Sequence, residues 1–201
     1  ALFDGDTLQP LTADSHNENP YVLPSLIYID RHARTTIGTR AAERYLKEET
    51  GRPVRWARRD AGEFEVTVAS LEGDQIDFIQ TTSVMVDTAA RGRLVQSIKT
   101  GLFNVRYSGT RVFGRYYALD DLIAIILREL KTAAERTLSQ SCNAVVMGRP
   151  VRFADNPAAD SRAEAILYRA AHMAGFTDVV FQLEPVGVTY LHHRNSSERH
   201  L

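Results

Sequence analysis

The spacing of apolar residues changes several times along this chain, and each change predicts an element. Ala144-Val145-Val146-Met147 is a continuous apolar run that stops at Gly148-Arg149-Pro150, as a buried strand does. Ala163, Ile166, Leu167, Ala170, Ala171 and Ala174 then recur at helical steps, and Gly175 stands where a helix ends. Val179-Val180-Phe181 is a second apolar run, and Glu184-Pro185 after it opens a further helix, with the proline in its first turn. Strand, crossover helix and strand predict two parallel strands of one sheet, whose ligand edge lies beyond their carboxyl ends. Pro150 and Glu184 both fall at that edge.

Earlier in the chain the rhythm differs. Asp4-Gly5-Asp6 reads as a hairpin turn, residues 12–22 as a polar loop, and Leu26–Ile29 and Thr35–Gly38 as paired strands. Thr39 is placed to cap a helix ending near Glu49, with Ala42, Tyr45 and Leu46 inward and Glu43 and Lys47 spaced as an exposed pair. From Thr50 to Asp87 apolar residues alternate, predicting half-exposed strands with turns near Asp60-Ala61-Gly62 and Glu72-Gly73-Asp74. Residues 88–104 read as a helix with its exit loop, and 107–117 as one more hairpin. Leu122, Ile123, Ile126, Leu127, Leu130 and Ala134 then form one face of a long helix from about Asp120 to Leu138.

Composition narrows the function classes. The chain has 201 residues, 44% hydrophobic and 24% charged, enough for one domain or two joined subdomains. A net charge of −1 gives no global pull toward nucleic acid or an anionic membrane, and neither partner is expected. Cys142 is the one cysteine, so no internal disulfide and no cysteine metal cluster can form, in keeping with a cytoplasmic protein. No apolar run reaches the ~18–20 residues of a membrane helix.

Four blocks together carry a family resemblance. They are Leu23-Pro24-Ser25-Leu26-Ile27 with Thr36-Ile37-Gly38 and Ala41-Ala42; Ser97-Ile98-Lys99-Thr100; Gly148-Arg149-Pro150-Val151-Arg152-Phe153; and Phe181-Gln182-Leu183-Glu184-Pro185. In order and rough spacing the chain resembles the nucleotide-binding domain of the Hsp70 chaperones, within the actin-like ATPase group. The last two blocks resemble short bacterial Hsp70-like proteins, some of which lack a peptide-binding domain. The resemblance implies an α/β fold: half of an actin-like ATPase (ribonuclease H-like) domain, a mixed sheet with flanking helices. Residues 1–20 and 116–201 would form the core subdomain, and 21–115 an inserted α+β subdomain. The family's phosphate loops, D-x-G-T and D-x-G-G-G-T, do not occur in the sequence. The chain therefore reads as a first lobe lying between them, inactive by itself. ATP or ADP and Mg²⁺ would bind between this lobe and a second lobe of the same chain, with co-chaperones and peptide clients as further partners.

The resemblance also implies roles. Lys99 would be the catalytic lysine, orienting the attacking water and offsetting charge on the departing phosphoryl group. Glu184 would be a catalytic carboxylate that holds the metal indirectly, through water. Pro150 would be the allosteric switch proline, with Arg162 or Arg152 as its arginine. Each has a plainer reading: a lone lysine is usually a solvated surface group, a glutamate suits any helix start, and prolines commonly end strands. Arg52, Arg55, Arg58 and Arg59 around Trp56 read as a solvated strand face, with Arg59 set across a turn from Glu63. His192, His193 and His200 are loosely spaced and close to the end of the sequence, and give no more than a weak metal hypothesis. Two rival functions stand beside the ATPase: a catalytically silent actin-fold interaction module, and a sugar-kinase or filament type of actin-like ATPase.

Overall fold

The structure, a computed structural model, describes residues 1–3, 8–69 and 75–186. Strands β1 (Leu2–Phe3) and β2 (Leu8–Gln9) lead to β3 (Ile27–Asp30), β4 (Thr35–Ile37) and helix α1 (Thr39–Glu49). A long hairpin follows, β5 (Trp56–Ala69) with β6 (Gln75–Asp87), then β7 (Gly92–Val95) and a 3-10 helix, Ile98–Leu102. The hairpin β8 (Gly109–Val112) and β9 (Arg115–Ala118) precedes α2 (Leu119–Leu138). The chain then runs through β10 (Ala144–Arg149), α3 (Pro157–Met173) and β11 (Asp178–Leu183). This is an α/β fold, and no described helix is long and apolar enough to cross a membrane.

β10 and β11 are parallel, Met147 facing Phe181 in register, with α3 as the crossover between them. β3 is the centre of an antiparallel sheet of order β4-β3-β7. One mixed sheet was the expectation. Among the described residues the strands instead form five small sheets, and β10–β11 is two-stranded. One face of that pair lies against α2 and α3, while Val146 and Val180 on the other face stay exposed.

The main core joins both parts of the chain. Ile27 and Ile29 of β3, Ile98 and Leu102 of the 3-10 helix, Leu119 and Leu122 of α2, and Ile166 and Ala170 of α3 share one cluster. Each large aliphatic side chain buried there contributes about 1.5–3 kcal/mol. Residues 98–102 are thus fastened to the crossover unit by apolar packing.

Several local expectations are corrected. Residues 88–104 contain a strand and a 3-10 helix in place of a helix, because Gly92–Val95 pairs with β3. Residues 60–62 are a bulge, with β5 running through them, so Arg59 faces Val84 and Glu63 faces Thr81. Thr39 does not cap α1: its amide donates to the Asp14 carboxylate at 2.8 Å, a cap supplied from 25 residues away. Leu46 is exposed and Ala41 is the buried residue of α1; Glu43 meets His16, and the helix's own pair is Arg44 with Glu48. The turns at 4–6 and 72–74, and His192, His193 and His200, lie outside the described residues.

Candidate functional site

Parallel pairing sets the geometry. Arg149 and Leu183 end β10 and β11 side by side, so Pro150 and Glu184 leave the sheet at the same edge. Residues 184–186 are helical, as the Glu-Pro start predicts. Gly148 lies beneath Glu184: a Cβ there would come within 3.3 Å of the Glu184 Cγ. The glycine lets the carboxylate side chain lie close over the strand.

Lys99 arrives from the other part of the chain. Ser97 takes a left-handed conformation, φ 56°, and starts the 3-10 turn. Ile98 and Leu102 anchor that turn in the core and leave Lys99 exposed. Gly101 permits the close fit, since a Cβ there would stand 2.8 Å from Tyr107 and 3.0 Å from Leu119. The Phe103 ring packs against Phe153, centroids 5.7 Å apart, which ties the turn to the loop after β10. The Lys99 Nζ then donates to Glu184 Oε1 at 3.1 Å, across 85 residues of sequence. Both side chains are largely solvated, 60% and 47% exposed, so the pair adds at most about 1 kcal/mol to stability.

The arginines are placed differently from expectation. Arg162 Nη2 donates to the Tyr107 carbonyl at 3.0 Å, and its Nη1 is buried without a hydrogen-bond partner among the described residues. It braces the segment beyond Lys99 and has no bond to Pro150. Arg152 is exposed. Arg149 holds the position beside the proline: its Nε donates to the Pro150 carbonyl at 3.2 Å and its Nη2 to Asp160 at 3.0 Å. It also pairs with Glu164 and stacks over Phe153. Bonds from the Phe153 amide and from Arg149 hold the Asp160 carboxyl below its usual range. Strand alternation was the overlooked signal, because Arg149 shares a face with Val145 and Met147, toward α3.

Among the described residues no group of three His, Cys, Asp or Glu side chains is arranged to hold a metal. The edge therefore offers an ammonium and a carboxylate in contact, a proline beside them, and an arginine that links the proline to α3. No known family model matches the chain.

Proposed function

We propose that this chain is a lobe of the ATP-binding domain of an Hsp70-like chaperone, with Lys99 and Glu184 at its hydrolytic edge. The observation that supports the reading most directly is the 3.1 Å contact between Lys99 and Glu184 at the carboxyl ends of two parallel strands. Stability gives no reason for bringing these residues together, since so exposed a pair contributes little. Phosphoryl transfer does give one. It needs a cation beside the transferred group and an acceptor that orients water, both held by rigid elements.

Mg²⁺ keeps several of its waters and takes one or two carboxylates. Glu184 fits such an ion through water, and bound Mg²⁺ would offset phosphate charge. Lys99 would hold a phosphate oxygen, and Glu184 would accept a hydrogen bond from water at that edge. Most phosphate contacts would come from glycine-rich loops and a second lobe, neither found in this sequence. Arg149 would relay movement of Pro150 to α3 through Asp160 and Glu164. Co-chaperones and peptide clients are the partners this reading entails.

Calorimetry is the direct test. Residues 1–201 alone should bind ATP far more weakly than micromolar, because two side chains cannot replace the backbone donors of phosphate loops. The full-length protein should hydrolyse ATP, and Glu184→Gln should slow turnover at nearly unchanged stability. Absence of ATP binding by the full-length protein would favour an interaction module of the same fold.

A further inference from the structure

Strand β7 lies at an edge of the antiparallel sheet β4-β3-β7. Backbone groups alternate sides along an antiparallel strand, so each residue of β7 bonds either toward β3 or away from it. The Arg31 amide donates to the Arg91 carbonyl, and the ladder continues with Ile29 opposite Arg93 and Ile27 opposite Val95. Gly92 and Leu94 therefore turn their backbone groups outward. The Gly92 amide agrees with this, since it donates to Glu49 Oε1 at 2.6 Å. The Leu94 amide and carbonyl have no such partner among the described residues. An unpaired edge of this kind is a template for another strand.

A cleft of about 520 Å³ adjoins that edge. Leu94 and Gln96 line it on the β7 side, and Tyr45, Val54 and Trp56 line it from α1 and the segment entering β5. Val54 and Trp56 are 50% and 65% accessible. The charged groups of the cleft, Glu49, Arg52 and Asp87, are bonded to one another. What remains for a ligand is apolar surface and the open main chain of Leu94.

The other face of β7 is basic. Leu94 shares a face with Tyr28, toward α1, and Arg93 lies on the opposite face with Val95. No acidic residue occurs between Asp87 and Asp120, while Arg91, Arg93, Lys99, Arg106, Arg111 and Arg115 all do. Arg93 Nη1 donates to the Arg111 carbonyl at 2.9 Å, and Arg31 stands 4.6 Å from the centroid of the Phe113 ring. Arg31, Arg93 and Arg111 thus gather where the β8–β9 hairpin meets β7. All three are exposed, and their hydrogen bonds go to carbonyls rather than to carboxylates.

We propose that β7 accepts an extended acidic segment of a partner protein as an added antiparallel strand. The residue opposite Leu94 is apolar and enters the cleft beside Tyr45, Val54 and Trp56. The next residue, opposite Arg93, falls on the basic face and is Asp or Glu. Main-chain bonds to Leu94 supply affinity, and the alternation of apolar and acidic side chains supplies specificity. Glu49, holding the Gly92 amide, ends the free edge.

Titration with an end-capped peptide of alternating valine and glutamate tests this, read through Trp56, the single tryptophan. A saturable fluorescence change that weakens as salt is raised is the expected result. The same peptide with lysine for glutamate should bind at least tenfold more weakly. Arg93→Glu should reduce affinity for the glutamate peptide about tenfold and raise it for the lysine peptide. Circular dichroism separates lost binding from lost folding in that variant. Two further peptides need no variant at all. N-methylation of the valines removes the donors that face Leu94 and should abolish binding, whereas N-methylation of the glutamates, whose amides face solvent, should leave it within a few-fold. Equal binding of both methylated peptides overturns the strand addition, and no binding of the parent peptide overturns the proposal outright. Displacement of the peptide by a single-stranded oligothymidylate at equal concentration also overturns it, in favour of phosphate recognition by the arginines.

Discussion

Two charge clusters in this chain are built on opposite principles. Asp30 ends β3 with 4% of its side chain exposed, and both oxygens are fully engaged. It accepts from the His32 and Arg34 amides at 2.9 and 3.0 Å, and from the Arg34 and Arg44 side chains at 2.8 and 3.0 Å. Burial alone would raise its pKa, but the bonds from Arg34, Arg44 and His32 outweigh that and hold the carboxyl far below the usual range. Around it Arg44 reaches Glu48, and the Tyr28 hydroxyl bonds both Glu48 and Glu49. Lys99 and Glu184, by contrast, share a hydrogen bond at 3.1 Å and stand in solvent. A charge with every valence filled by its own chain is structural. A charge pair left open to water can exchange its partner for a ligand.

The largest effect should come from breaking the buried cluster. Asp30→Ala removes one of the partners of Arg44 and leaves the His32 and Arg34 amides without their acceptor, and should cost about 3 kcal/mol. The denaturant midpoint would fall at unchanged slope. A loss below about 1 kcal/mol would mean the cluster is replaceable by water.

The exposed pair should show its effect in turnover. Lys99→Ala in the full-length protein should slow ATP hydrolysis about a hundredfold, while nucleotide affinity changes much less. Lost affinity with unchanged turnover per bound ATP would remove Lys99 from the hydrolytic role.

Packing under the buried cluster can be tested at Gly92, which faces the Tyr28 ring; a methyl there would overlap it. Gly92→Ala should destabilise the protein by about 2 kcal/mol, the range of an overpacked core. A neutral result would show that Tyr28 moves freely.

Acid should loosen the same region. Arg52 beside it, and the Arg55 and Ala89 amides, depress the Asp87 pKa from 3.8 to about 2. Because the folded value is the lower one, the contribution is complete above 3.8. It is lost as pH falls from there toward about 2. Trp56, the single tryptophan, pairs with Asp87 in the ladder, so its fluorescence reports the change directly. A transition completed above pH 4.5 would contradict the assignment.

The smallest effect closes the comparison. Lys99→Ala or Glu184→Gln should shift stability by less than about 0.5 kcal/mol. A loss comparable to that of Asp30→Ala would make the pair a structural element.

The sequence by itself determined the crossover unit. Its strands are continuous apolar runs and its helix has an apolar stripe and a glycine stop, local signals that placed each element; the burial the runs implied holds for one face only, since Val146 and Val180 are exposed. α2 was equally legible, with Asp121 accepting the Ala118 amide at its start. Those elements alone place Pro150 and Glu184 at one edge of the parallel pair. What only the tertiary structure decided depended on partners far along the chain. β7 is a strand because β3 offers it a ladder, although its own residues read as helical. The cap of α1 comes from Asp14, and the arginine beside Pro150 is Arg149, held by α3. The bulge at Ala61 is set by pairing with β6, where composition pointed to a turn. Local spacing fixes periodicity within an element; capping, register and the meeting of Lys99 with Glu184 come from packing between elements.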